Sequence, residues 1–197
     1  AQLPPCRRSW LDPLQKVYDL ASITQRRDSA LALGVVDQPA SQSQEALYFE
    51  PEEHGNLIIS GVGGSGKTTV LRTLGQSAAR TPSSGPIHVY GLDFAGGGLL
   101  SMEVLPHVGA IISGNDTERV RRLILTLDSW VQQRAAAFAT VNATTLAEFR
   151  ALSGRPQEPR ILVLLDGFAS FYEEYQTTTA AKQTLYTTFA RVLAEGR

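Results

Sequence analysis

The stretch GVGGSGKT, residues 61–68, constrains this chain more than any other. It follows the short apolar run NLIIS (56–60) and opens onto KTTVLRTLGQSAAR (67–80), which reads as a helix. A glycine-rich turn that fits G-x-x-x-x-G-K-[ST] at every fixed position, between strand and helix, predicts a phosphate-binding loop. Glycines let the backbone curl so that successive N–H groups point at one anion, and the following helix adds its positive dipole end. The candidate ligand-holding residues are therefore Gly61, Val62, Gly63, Gly64, Ser65, Gly66, Lys67, Thr68 and Thr69. Lys67 would place a charge on the β- and γ-phosphates of a nucleotide, and the Thr68 hydroxyl would ligate Mg²⁺.

The rest of the chain supplies the matching scaffold. PIHVYGLD (86–93) and RILVLLD (160–166) read as strands, the latter apolar throughout, as a central parallel strand should be. Residues 116–138 form the longest predicted helix, with Val120, Leu123, Leu127, Trp130, Val131 and Phe138 at helical spacing and an Asn115/Glu118 capped start. Residues 144–154 give a shorter helix with Thr145 and Glu148 as its capping box, and residues 180–196 a last one. Alternating strands and helices with apolar strands predict an α/β fold of the P-loop NTPase (RecA-like) kind, three layers around a mainly parallel sheet. Residues 1–50 read as a lead-in with short strands near 31–36 and 46–49, and residues 51–197 as the core. The helix ending at Gly196 would ordinarily lead into another strand, so the sheet is expected to be truncated at its C-terminal end.

The second chemical signal is ILVLLDGF (161–168). An acid closing a buried strand beside a phosphate loop can hold Mg²⁺ through a water, which assigns Asp166 to the metal alongside Thr68; capping the next turn is its other use. Lys67 and Asp166 are the candidate catalytic pair. Many nucleotide-hydrolysing proteins carry a second acid next, to position water, and here the residue is Gly167. Asp93 also ends a strand, before FAGGGLL; it serves either as a turn residue or as a group near the nucleotide. His54, His88 and His107 show no metal-ligand spacing, and Arg119, Arg121 and Arg122 share one helix as a solvated face or a phosphate contact.

Composition narrows the function. Eighteen Lys and Arg against nineteen Asp and Glu leave a net charge of −1, poor support for a nucleic-acid binder. The single cysteine, Cys6, cannot form an internal disulfide, which suits a reducing cytosol. No apolar run approaches the ~20 residues of a membrane span. A free-standing nucleotide or metabolite kinase should show an Arg-rich lid, and none is visible.

LDF followed by Gly96–Gly98, then LPHVG (105–109), ERVRR (118–122) and LLDGF (164–168), with LALGVVDQP (31–39) upstream, resemble the FtsK/SpoIIIE-type ATPase domains, and among them those of the EccC motors of type VII (ESX) secretion. The resemblance covers roughly residues 31–197. It implies ATP and Mg²⁺ as cofactors and tandem ATPase domains behind membrane helices, working as an oligomer on the cytoplasmic face of the membrane. It also implies partners that are proteins rather than nucleic acid: neighbouring ATPase domains and the C-terminal tails of small secreted WXG100-type substrates. Later domains of such chains often have incomplete catalytic sets, and Gly167 fits that kind. The competing reading is a DNA translocase domain of the same superfamily.

Overall fold

The computed structural model describes residues 10–26, 29–80, 85–176 and 184–196. Its centre is a three-stranded parallel sheet in the order β4 (Val108–Ser113), β3 (Ile87–Asp93), β5 (Arg160–Asp166). β3 pairs with β5 from Ile87↔Arg160 to Asp93↔Asp166, so both strands end on an aspartate at the same level. The two-residue period of a strand sends Leu162, Leu164 and Asp166 to one face and Ile161, Val163 and Leu165 to the other.

Each face carries its own core, giving three layers. On the first, helix α2 (Lys67–Ala78) and an antiparallel hairpin, β1 (Leu31–Gln38) and β2 (Ser43–Phe49), pack Leu31, Phe49 and Leu74 against Val89, Ile111 and Leu164. The Ala32 amide donates to the buried Ser77 hydroxyl at 2.7 Å, fastening hairpin to helix. A short helix, α1 (Pro51–His54), follows the hairpin. On the second face, α3 (Thr117–Val141) buries Val120, Leu123, Ile124 and Leu127, the stripe expected of an amphipathic helix. It packs with α5 (Phe168–Tyr175) and α6 (Leu185–Glu195) around the fully buried Phe171. A two-pronged pair, Arg191 to Asp128 at 2.8 and 2.7 Å, joins α6 to α3. Helix α4 (Leu146–Ser153) carries the expected Thr145/Glu148 capping box.

Two expectations are corrected and one strand is added. NLIIS is not a strand: residues 57–62 carry no ladder and Ile58 is 90% exposed. A strand exists only through a hydrogen-bonded neighbour, and among the described residues β5 pairs with β3 alone. The cap of α3 is Asp116 rather than Asn115, its carboxylate accepting the Arg119 amide at 3.1 Å. Finally, VGAIIS forms strand β4, which short length and mixed composition hid. The hairpin strands also run further than their apolar residues, through Asp37–Gln38 and Ser43–Glu45, because the ladder continues to the turn. The start of the last predicted helix, residues 180–183, lies outside the described residues, as does Cys6.

Candidate functional site

The phosphate loop sits at the carboxyl end of the parallel strands, where strand ends and helix starts leave backbone groups free for a ligand. Gly66 caps α2 with φ +89°, a left-handed conformation that glycine adopts without Cβ strain. Residues Gly64–Thr69 line a hollow of about 260 Å³. The Lys67 ammonium folds back into the loop and donates to the Gly61 and Val62 carbonyls at 2.9 and 2.8 Å. It is thus held among the residues that would surround a phosphate chain. Val62 is 79% exposed and touches none of this chemistry by its side chain.

Thr68 and Asp166 meet as the sequence predicted. The strand period puts Asp166 on the α2 face of the sheet, and Thr68 lies in the first turn of α2. The Thr68 hydroxyl donates to Asp166 Oδ2 at 2.6 Å, and Asp166 is 5% exposed. Two hard oxygen donors with one negative charge suit Mg²⁺, which takes one or two protein ligands and completes its shell with phosphates and water. Among the described residues no cluster of three or more His, Cys, Asp or Glu could hold a metal by itself.

Asp93 is the residue whose part the sequence left open. It is 3% exposed, and its carboxylate faces inward to the loop that follows. Oδ1 accepts the amides of Ala95 and Gly97 at 3.1 and 3.0 Å, and Oδ2 that of Leu99 at 2.8 Å. Three amides occupy most of the acceptor capacity of one carboxylate. Asp93 is therefore a turn-forming residue. The Gly96–Gly98 run, which reads as a flexible patch, is folded around it. The loop's other anchors are the Phe94 amide on the Asp166 carbonyl, 2.9 Å, and the Phe94 ring, which meets Phe171 and Tyr175 edge-on.

That loop covers Gly167. With φ +77°, Gly167 caps α5 in the left-handed region. A Cβ there would lie 2.7 Å from the Phe94 carbonyl carbon and 3.0 Å from the Ala95 nitrogen. Backbone fills the place into which a side chain at this position would project. Sequence reading noticed the missing acid but not its cause, because the cause is a contact across two strands.

The remaining candidates are ordinary surface or packing groups. Arg119 pairs with Asp116 at 3.9 Å and Arg122 with Glu118 at 3.4 Å, all exposed. His54 stacks on Phe49, and His107 Nε2 lies 2.8 Å from the Gly75 carbonyl oxygen. A second, larger hollow of about 420 Å³ lies at the opposite, amino end of the strands, floored by Tyr90, Trp130 and Phe149 and rimmed by Arg134, Arg155 and Glu158.

The FtsK/SpoIIIE family model matches residues 19–190. The chain belongs to the FtsK/SpoIIIE family. This FtsK/SpoIIIE chain is 32% identical over 181 residues to the ESX-4 secretion system protein EccC4 of Mycobacterium tuberculosis, covering 87% of this chain and 15% of that protein. It is 28% identical over 189 residues to EccCb1 of the ESX-1 system of the same organism, covering 90% of this chain and 32% of that protein. It thus spans a third or less of these curated relatives. Among solved structures, EssC (ATPases 2 and 3) of Geobacillus thermodenitrificans superposes with a TM-score of 0.72 at 30% identity, over 83% of this chain and 31% of that one. The cytoplasmic domain of the type VII secretion ATPase EccC of Thermomonospora curvata gives 0.82 at 23% identity, over 95% and 24%, and shows the fold. A further structure of that EccC, ATPases 2 and 3, is a complex with a signal sequence peptide and gives 0.75 at 24% identity, over 89% and 31%. The homologues of this FtsK/SpoIIIE domain are thus EccC/EssC ATPases of type VII secretion. No described helix is long and apolar enough to cross a membrane.

Proposed function

We propose that this chain is an ATP-binding domain of a type VII secretion motor that holds Mg-ATP with little or no hydrolysis. The observation that carries the reading is Gly167 beneath the Phe94–Ala95 backbone. Among the described residues no carboxylate takes the neighbouring place: Asp93 is committed to its loop, and Glu173 and Glu174 are exposed on the far half of α5. A positioned general base is worth about 10²–10⁴-fold in rate, so its loss separates binding from turnover. The residues that would hold the nucleotide are 61–69, with Lys67 on the phosphates and Thr68 and Asp166 toward the metal, whose charge would neutralise the phosphate oxygens.

The bound nucleotide then serves as a structural element of the motor, at contacts with neighbouring ATPase domains on the cytoplasmic side of the membrane. Docking of secreted substrate tails is the domain's second task. What supports it is the amino-end cleft, whose aromatic floor suits a buried apolar side chain and whose exposed Arg155 suits an acidic neighbour on the same peptide. The signal sequence peptide held by a structural relative belongs to the same class of ligand. A DNA translocase would need phosphate-binding cations, and a net charge of −1 offers no surplus.

Single-turnover hydrolysis on the purified chain, with Lys67→Ala as contamination control, tests the reading. ATP should raise the melting temperature, at a hundred times Kd by the equivalent of about 2.7 kcal/mol, and Lys67→Ala should remove that shift. Hydrolysis should not exceed the Lys67→Ala background. Lys67-dependent turnover of about once per second, the low end of ordinary enzymes, would overturn the claim of a silent site.

A further inference from the structure

The loop around Asp93 touches both halves of the metal-side pair, and nothing described so far uses that. From below, Phe94 and Ala95 rest on Gly167, the residue after Asp166. From the side, Gly98 abuts Thr68: a Cβ on Gly98 would lie 2.5 Å from Thr68 Cγ2. Thr68 and Asp166 are 98 positions apart in sequence and come from different elements. The segment 94–98 is in contact with both neighbourhoods. Its shape is set by the buried Asp93 carboxylate, through the amides of Ala95, Gly97 and Leu99.

We propose that Asp93 is the positioning residue of the metal site: through its loop it holds the Thr68 hydroxyl against Asp166 in the arrangement that accepts Mg²⁺ on a bound nucleotide. The inference rests on the nucleotide-binding reading above. Asp93 acts without touching metal or phosphate. The Thr68 side chain has a methyl and a hydroxyl on one carbon. With the methyl seated on Gly98, which has no side chain to push it away, the hydroxyl faces the carboxylate. A loop that sags, or a side chain at position 98, would turn Thr68 and separate the two oxygens. The phosphate cradle itself is made of backbone amides of residues 63–68 and Lys67, so it does not depend on this loop.

The prediction is selective. Losing the positioning residue should cost the metal's share of nucleotide affinity and spare the loop's share. Asp93→Asn is the sharp variant: the amide oxygen can still accept Ala95 and Gly97, while its NH₂ is set against the Leu99 amide. Gly98→Ala is the independent one. Gly98 does not have a positive φ, so alanine is allowed by the backbone and the added methyl meets only Thr68.

The measurement is ATP affinity by titration calorimetry on the full chain, once with Mg²⁺ and once with EDTA. In the wild type Mg²⁺ should tighten ATP binding by tenfold or more. In Asp93→Asn and in Gly98→Ala that ratio should fall to within about threefold of unity, with the EDTA affinity unchanged. The melting temperature of ligand-free Gly98→Ala should stay at the wild-type value. If Gly98→Ala retains the full Mg²⁺ ratio, the proposal is overturned. It is equally overturned if the variants weaken binding alike with Mg²⁺ and with EDTA, the mark of a merely structural residue. A wild type that binds ATP without any Mg²⁺ dependence sinks it while leaving nucleotide binding intact. A wild type that binds no ATP at all would instead sink the nucleotide reading on which it rests.

Discussion

The two ends of the parallel sheet treat charge in opposite ways. At the amino end several charged groups pair with one another. Arg160, its side chain 13% exposed, pairs with Glu52. Arg134 pairs with Glu158 at 3.2 Å, and Arg150 donates twice to the Glu158 carbonyl, at 2.8 and 2.6 Å. Burial lowers the pKa of Arg150 and of Arg160 from the ordinary guanidinium value, the direction expected when a cation leaves water. At the carboxyl end the opposite holds. Lys67 and Thr68 line a hollow with the loop amides, Asp166 lies buried behind Thr68, and Asp93 is locked into its own loop. The first end closes the fold, while the second carries the groups to which the proposed function assigns the nucleotide. A buried cation engaged by carbonyls and carboxylates speaks of stability, while the Lys67 ammonium rests on its own loop's carbonyls.

The largest expected effect breaks the carboxyl end without touching a polar group. Gly167→Ala forces an L-residue into the left-handed region, at about 1–2 kcal/mol. It also drives a methyl against the Phe94–Ala95 backbone, in the range of about 1–3 kcal/mol for an overpacked site. The sum, about 2–5 kcal/mol, should appear as a lowered urea midpoint with little change in slope. Gly167→Glu should be at least as costly and should not restore hydrolysis, because the loop occupies the space the new side chain needs. A gain of turnover in Gly167→Glu would show that the loop yields readily.

The second prediction sharpens the contrast from the amino end. Arg160→Met keeps most of the apolar stem and removes the guanidinium, leaving Glu52 without its partner. Glu52 is 36% exposed and can recover water, so the loss should be about 1–3 kcal/mol rather than the larger figure for a fully enclosed pair. ATP affinity should be unchanged, since about six residue steps of strand, roughly 20 Å, separate Arg160 from Asp166. A drop in ATP affinity beyond threefold would show that the two ends are coupled.

How much of this was legible in the sequence follows from how local each feature is. The glycine-rich turn before α2, the aspartate closing β5 and the Thr145 capping box are encoded within eight residues or fewer, and the structure has each of these local features at its expected position. The three-layer fold followed from apolar strands alternating with amphipathic helices. Features that depend on distant pairing were not legible. Leu57 and Ile58 have strand composition but no ladder to join, and Val108–Ser113 has a ladder without a strong strand pattern. Gly167 was read as a missing acid, and its contact with the Phe94–Ala95 backbone across two strands leaves no local trace in the sequence. The Arg134, Arg150, Arg160 and Glu158 cluster also draws in Glu52, 108 positions from its partner Arg160, and no local spacing announces that pair.

The smallest effect tests the comparison at its closest point, between two carboxylates with the same task. Glu148 accepts the Thr144 amide and hydroxyl at 2.7 and 2.6 Å and the Thr145 amide at 3.3 Å, holding the turn before α4 as Asp93 holds the turn after β3. Asp93 is enclosed, whereas Glu148 lies on the surface. The Thr144 hydroxyl, then the Thr144 amide, lower the Glu148 pKa from the ordinary glutamate value, because they bind the charged form better than the neutral one. A carboxylate whose pKa is lower folded than unfolded stabilises the fold above its unfolded pKa, about 4.3, and that contribution is lost as pH falls through the folded pKa. Glu148→Gln keeps a capping oxygen and removes the charge, so only the pH-dependent share should go. Melting temperatures of the two proteins should therefore differ at pH 7, with the variant lower. The gap should narrow as pH falls below the unfolded value of about 4.3 and on through the lowered folded pKa, where the wild-type carboxylate takes up its proton. High salt should shrink the gap as well, since an exposed charge is readily screened. A gap that stays constant from pH 7 to pH 3 would mean that Glu148 holds its turn by shape alone, and that burial is not what separates it from Asp93.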